Sequence, residues 1–145
     1  NKVPKAGKVI LTDTEGINIP ETLTRNALRA SHRLSSPDFP ETIKRDMAGI
    51  LLRLYREQAR LVITTRLHCA LPCIAMGIPV VFFGNREDSR FSVLQATGMP
   101  IYQPGTPPDE VDWEPEVPDV DPIRRWMHET IRQRILWTPG ENCSA

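Results

Sequence analysis

Apolar residues along this chain fall into two kinds of run: short unbroken blocks, and longer stretches in which they recur every three or four positions. The blocks lie at 9–12, 60–65 and 80–83, with Ile101 and Tyr102 as a shorter fourth. They are rich in aliphatic and β-branched residues, and continuous rather than alternating hydrophobicity predicts strands of a parallel sheet covered on both faces. The periodic stretches predict helices. Ile43, Met47, Ile50, Leu51 and Leu54 form one stripe, and Ile123, Met127, Ile131 and Ile135 form another. Residues 67–76 are apolar nearly all round, contain the small Ala70 and Ala75, and end at Gly77 and Pro79, the pattern of a buried helix with a glycine cap. Pro72 inside it removes the backbone bond to the carbonyl of residue 68, which predicts a kinked first turn or a late start. Residues 89–97 read as a further helix closed by Gly98. The segments beginning at Asn18 and Asp38 share an Asx cap, an early proline and a glutamate three residues on, one capping solution used twice rather than an internal repeat.

Strands alternating with helices in this order predict an α/β fold, a doubly wound, mainly parallel sheet of Rossmann-like type. Ligands of such sheets bind beyond the carboxyl ends of the strands, so the loops at 13–18, 64–68 and 84–90 carry the interest. The expected organisation is a Rossmann-like lobe over 1–103, a connector over 104–121, a docking helix over 122–136 and a tail over 137–145. The connector reading comes from composition: seven of the 14 prolines fall between Pro100 and Pro122, interleaved with seven acidic residues.

A length of 145 residues is about one domain, so an enzyme of two large lobes is expected to be incomplete here. Eighteen basic residues balance eighteen acidic ones, which argues against the nucleic-acid backbone as main partner. The most apolar stretch, 67–83, is broken by His68, Pro72, Gly77 and Pro79 and is no candidate for a spanning helix of roughly 20 residues. Residues 1–8 carry three lysines without a following apolar region, unlike a secretory signal, and the missing initiator Met points to a processed chain or an excised fragment. Three cysteines, Cys69, Cys73 and Cys143, make a disulfide framework unexpected and a reducing, cytoplasmic setting the default.

The junction Thr64-Thr65-Arg66-Leu67-His68 sets a guanidinium and an imidazole where a buried strand turns into a buried helix. A helix N-terminus suits an anion, an arginine fork suits phosphate or carboxylate, and an imidazole moves a proton near neutral pH. The competing reading pairs Arg66 with an acidic residue and makes His68 a satisfied core histidine. In the loop 84–90, Arg86 and Arg90 offer an anion clamp, against which stands a solvated loop with internal Arg to Asp pairs. His68, Cys69 and Cys73 lack a fourth partner for zinc, and no metal is expected. The glycines match no dinucleotide or phosphate-loop pattern.

The run 59–83, ARLVITTRLHCALPCIAMGIPVVFF, resembles the carboxyl-terminal signature of the polysaccharide pyruvyl transferase family: an aliphatic strand, Arg-Leu-His, an apolar helix closed by Gly-x-Pro, and another strand. The likeness is specific over those residues and looser out to Gly98. It implies two Rossmann-like lobes arranged as in GT-B glycosyltransferases, of which this chain supplies the second, so that an N-terminal lobe is missing. It further implies transfer of a pyruvyl group from phosphoenolpyruvate to a sugar of a surface or cell-wall polysaccharide, with no cofactor. Arg66 and His68 then occupy the donor-facing positions as catalytic residues. Thr65, Asn85, Arg86 and Arg90 are the candidate substrate-binding residues, either arginine serving as the basic group after the next strand. The alternatives are a GT-B lobe binding a nucleotide-sugar and a non-catalytic lobe binding an anionic sugar or a protein partner.

Overall fold

The computed structural model describes residues 7–34 and 38–134. Five strands form one sheet: β1 (Lys8–Thr12), β2 (Leu28–Ala30), β3 (Ala59–Thr64), β4 (Val80–Phe83) and β5 (Ile101–Tyr102). Its order is β2-β1-β3-β4-β5 and every neighbouring pair is parallel. Thr12 stands beside both Ala30 and Thr64, and Thr64 beside Phe82, so the carboxyl ends of four strands share one edge. The helices are α1 (Glu21–Thr24), α2 (Glu41–Gln58), α3 (Leu67–Ala75), α4 (Ser92–Ala96) and α5 (Asp121–Arg134). The fold is the expected doubly wound, Rossmann-like α/β sheet.

Alternate residues of the strands feed two cores. Ile10, Val62, Val80, Phe82 and Ile101 face α2, α3 and α4, meeting Tyr55, Cys69, Cys73, Ile74 and Leu94. Val9, Leu11, Leu61, Ile63, Val81 and Phe83 face the other way. That second face is covered by Ile17, Ile19 and Leu23 around the single turn of α1, and by Val111 and Trp113 of the proline-rich acidic segment. Trp113 stacks at 6.1 Å from Phe83 and donates its Nε1–H to the Pro108 carbonyl, while the Asp112 N–H donates to the Tyr102 hydroxyl. Within 104–121, then, Val111 and Trp113 close the second core and Val120 packs against the first, while the acidic residues of the segment stay at the surface.

Several local expectations are corrected. The cap residues of α1 and α2 are Pro20 and Pro40, which make no side-chain cap bond. The proline places its extended backbone directly before the first turn, and its carbonyl accepts the first helical bond, from Thr24 and Lys44 respectively. The stripe on α2 is rotated: Ile43 and Ile50 are exposed, whereas Met47, Leu51, Leu54 and the buried Tyr55 face inward. Helix α3 starts at Leu67 despite Pro72, because the carbonyl left without a partner belongs to the exposed first turn. The stretch 89–97 opens with a tight 3₁₀ turn, Ser89–Phe91, capped by the Asp88 carboxylate, before α4. Strand β2 is an addition that three residues of weak pattern did not announce.

Helix α5 carries Ile123, Met127 and Ile131 toward α3 and α4, yet none of its residues is buried, and a cleft of about 340 Å³ remains between them. The expected stripe residue Ile135 and the tail 137–145 lie outside the described residues. Among the described residues no helix is long and apolar enough to cross a membrane.

Gly84, just past β4, has no room for a side chain: a Cβ there would stand 2.7 Å from the Phe91 ring and 2.9 Å from that of Phe82. Those rings meet edge to face at 5.0 Å in the core. Gly84→Ala is expected to cost about 1–3 kcal/mol through overpacking, read as a lower urea midpoint with unchanged slope.

Candidate functional site

In a parallel sheet of this order the chain leaves β1 toward β2 on one side and returns to β3 on the other. The carboxyl ends of β1 and β3, where the order reverses, are the general ligand position of doubly wound sheets. The residues after the strands meet there. Asp13 follows β1 with φ of 50°, the left-handed region that Asp tolerates better than most residues. Its side chain has no solvent exposure. Oδ1 accepts from Ser31 Oγ at 2.6 Å, and Oδ2 accepts from the His32 N–H at 3.1 Å and from Arg66 Nε at 3.0 Å. Thr65 Oγ1 donates to the Asp13 carbonyl at 2.7 Å, and the Arg66 N–H donates to Thr64 Oγ1. One carboxylate thus ties β1 to the loops after β2 and β3.

Burial alone pushes the Asp13 carboxyl up, but the hydrogen bonds from Ser31, His32 and Arg66 and the Arg66 charge outweigh it, and the pKa lies below the ordinary value of 3.8. The folded protein therefore favours the charged form. The guanidinium that answers it remains 41% exposed. Asp13 holds Arg66 through Nε, and the Arg66 side chain as a whole is partly exposed.

His68 lies in the first turn of α3 and is exposed. It borders a cleft of about 310 Å³ between α2 and α3, whose walls include Met47, Leu51 and Pro72 and whose polar groups are Ser31, His32, Lys44 and the Tyr55 hydroxyl. Arg66 does not line that cleft. His32 Nε2 and the Tyr55 hydroxyl are 2.9 Å apart, and the same hydroxyl is 3.0 Å from Thr12 Oγ1. Burial, with the neighbouring Cys69, pushes the Tyr55 phenol up, so it serves as a hydrogen-bonding hydroxyl rather than an ionised group. Cys69 and Cys73 are free and fully buried beneath it, and their mutual hydrogen bond, together with burial, pushes Cys73 up.

The second loop is organised within itself. Asn85 Oδ1 accepts from the Glu87 N–H, turning the chain. Arg86 Nε donates to the Ile101 carbonyl at 2.6 Å and borders a separate hollow of about 210 Å³ near α4. Arg90 grips Asp88 through Nε and Nη2, the latter at 2.6 Å. Thr65 and Arg66 share the Asp13 cluster, and His68 shares its cleft with His32. Asn85, Arg86 and Arg90 bond elsewhere. Among the described residues no group of three or more His, Cys, Asp or Glu could hold a metal ion. Sequence reasoning singled out the loop after β1 but not Asp13 itself, and passed over Ser31, His32 and Tyr55. The legible signal was an aspartate directly behind the first apolar block, VILTD.

The central part of this site has a recognisable pattern. Residues 49–87 match the family model of polysaccharide pyruvyl transferase. No curated protein and no solved structure matches the chain. The pyruvyl transferase match runs from mid-α2 through β3, α3 and β4 into the following loop, and it takes in Thr65, Arg66, His68, Asn85 and Arg86. Asp13, Ser31, His32 and Arg90 lie outside it.

Two outcomes test these couplings. Tyr55→Phe should cost about 1–2 kcal/mol, because Thr12 and His32 lose a buried partner; thermal unfolding reads it. Because the folded Asp13 pKa is depressed, its charged form stabilises the fold fully above pH 3.8, and that gain is lost as pH falls through the lower folded value. The stability gap between the wild-type chain and Asp13→Asn should therefore be widest near neutral pH and close below about pH 4, as followed by urea unfolding across pH.

Proposed function

We propose that this chain is a pyruvyl transferase lobe whose carboxyl edge receives phosphoenolpyruvate, with the sugar acceptor presented by a second lobe in a GT-B-like arrangement. The observation that carries the reading is Arg66. Within the matched segment, it stands at the β1/β3 switch point with its Nε held by Asp13 and its side chain 41% exposed. A planar fork of donors is the group best matched to a phosphate or carboxylate.

The reaction needs few groups from the protein. Protonation at C3 of the enol turns CH₂ into CH₃ and leaves C2 oxocarbenium-like. One sugar hydroxyl adds to C2, a second displaces the phosphate, and two C–O bonds replace the broken C2–O bond and the double bond. One hydroxyl proton balances the proton delivered to C3, and the other leaves with phosphate. His68, exposed in the first turn of α3 two residues after Arg66, is the proton donor in this reading, and Arg66 offsets the charge that builds on the departing phosphate.

Isothermal titration of the 145-residue chain should register phosphoenolpyruvate and not a nucleotide-diphosphate sugar. Arg66→Gln should weaken binding at least about tenfold, the loss of a charge-assisted contact. His68→Gln should change it by less than about threefold, since a proton donor adds little to ground-state binding. The chain by itself should bind without turnover; ketal formation by it alone, or a preference for the nucleotide-sugar, overturns the proposal.

A further inference from the structure

We infer that Asp13 is the positioning residue of this anion site, a buried carboxylate that fixes Arg66 by its Nε and so aims the Nη pair outward at the carboxyl edge. The inference rests on the anion-binding role proposed for Arg66.

The geometry carries it. Both carboxylate oxygens are engaged, Oδ1 by Ser31 and Oδ2 by the His32 backbone, so the group that grips Arg66 cannot turn away. These anchors come from the loop after β2, and Thr65 of the loop after β3 bonds the Asp13 backbone itself. The guanidinium is therefore referenced to three strand ends rather than to its own flexible stem. An arginine that is 41% exposed would otherwise sample many rotamers, and ordering it on binding would be charged against affinity. Spending Nε on Asp13 leaves Nη1 and Nη2 as the parallel donor pair, the end-on face of the fork. Asp13 touches no ligand in this arrangement. It acts only through Arg66.

Asp13→Asn is the informative change, since Asn accepts the same backbone conformation and keeps the size while losing the charge; Asp13→Ala removes every acceptor. Thermal unfolding checks that each variant is folded. Two readouts are then needed. In ¹⁵N spectra the Arg66 Nε–H signal, assigned by its loss in Arg66→Lys, should exchange slowly with solvent in the wild-type chain and fast in either Asp13 variant. In titrations with phosphoenolpyruvate, Asp13→Asn should weaken binding about tenfold, and Asp13→Asn/Arg66→Gln should match Arg66→Gln alone. An Arg66 signal unmoved by Asp13→Asn and Asp13→Ala overturns the inference, as do losses that add in the double variant. Absence of phosphoenolpyruvate binding by the wild-type chain, with the Arg66 signal protected, overturns the donor reading instead and reduces the pair to a structural salt bridge.

Discussion

A carboxylate with no exposure at the end of a central strand is costly unless its oxygens are all answered. Asp13 is answered from two other strand ends, and the answer dictates much of what surrounds it. The β2 loop must come close enough to donate Ser31 Oγ and the His32 N–H. The β3 loop must place Arg66 within reach and lend Thr65 to the Asp13 carbonyl. The loops after β1, β2 and β3 are thereby tied together at the β1/β3 switch point.

The two faces of the sheet support that edge unequally. Helices α2, α3 and α4 cover one face with a continuous aliphatic and aromatic core, and Tyr55 extends that core upward to meet Thr12 and His32. Among the described residues the opposite face is covered by the short α1 with its flanking loops and by the Val111–Trp113 stretch. A segment that is two-thirds proline and acid holds this face through Val111 and Trp113. Proline restricts the unfolded chain and presets an extended path, so a stretch with few apolar contacts can still hold its course across the sheet.

The sheet itself was legible from hydrophobic runs, because a strand buried on both faces must be apolar at every position and β1, β3 and β4 satisfy that without exception in their central residues. Helix ends closed by glycine were legible for the same kind of reason: Gly77 and Gly98 adopt positive φ, where a side chain is strained. What escaped was short or shared. Strand β2 has three residues, too few to show a period. The α2 stripe misled because Tyr55, rather than Ile50, turns inward; its hydroxyl has partners in the buried Thr12 and the half-buried His32 that no periodicity reveals. Asp13 escaped as a site residue because its partners lie 18, 19 and 53 residues away in sequence, and pairing at such separations is decided by strand order, which one sequence read alone does not encode locally.

The pairing also sets what kind of attraction the crevice exerts. With Asp13 3.0 Å from the Arg66 Nε, the two charges largely cancel at distances beyond a few ångströms, so the crevice does not steer anions from afar. The proposed attraction to an acidic ligand would then act at contact, through directed N–H groups whose strength falls steeply with misalignment. Where direction rather than net charge supplies the binding, a fixed guanidinium outperforms a free one, and a buried acid beside the arginine proposed to face the ligand is consistent with anion recognition rather than opposed to it.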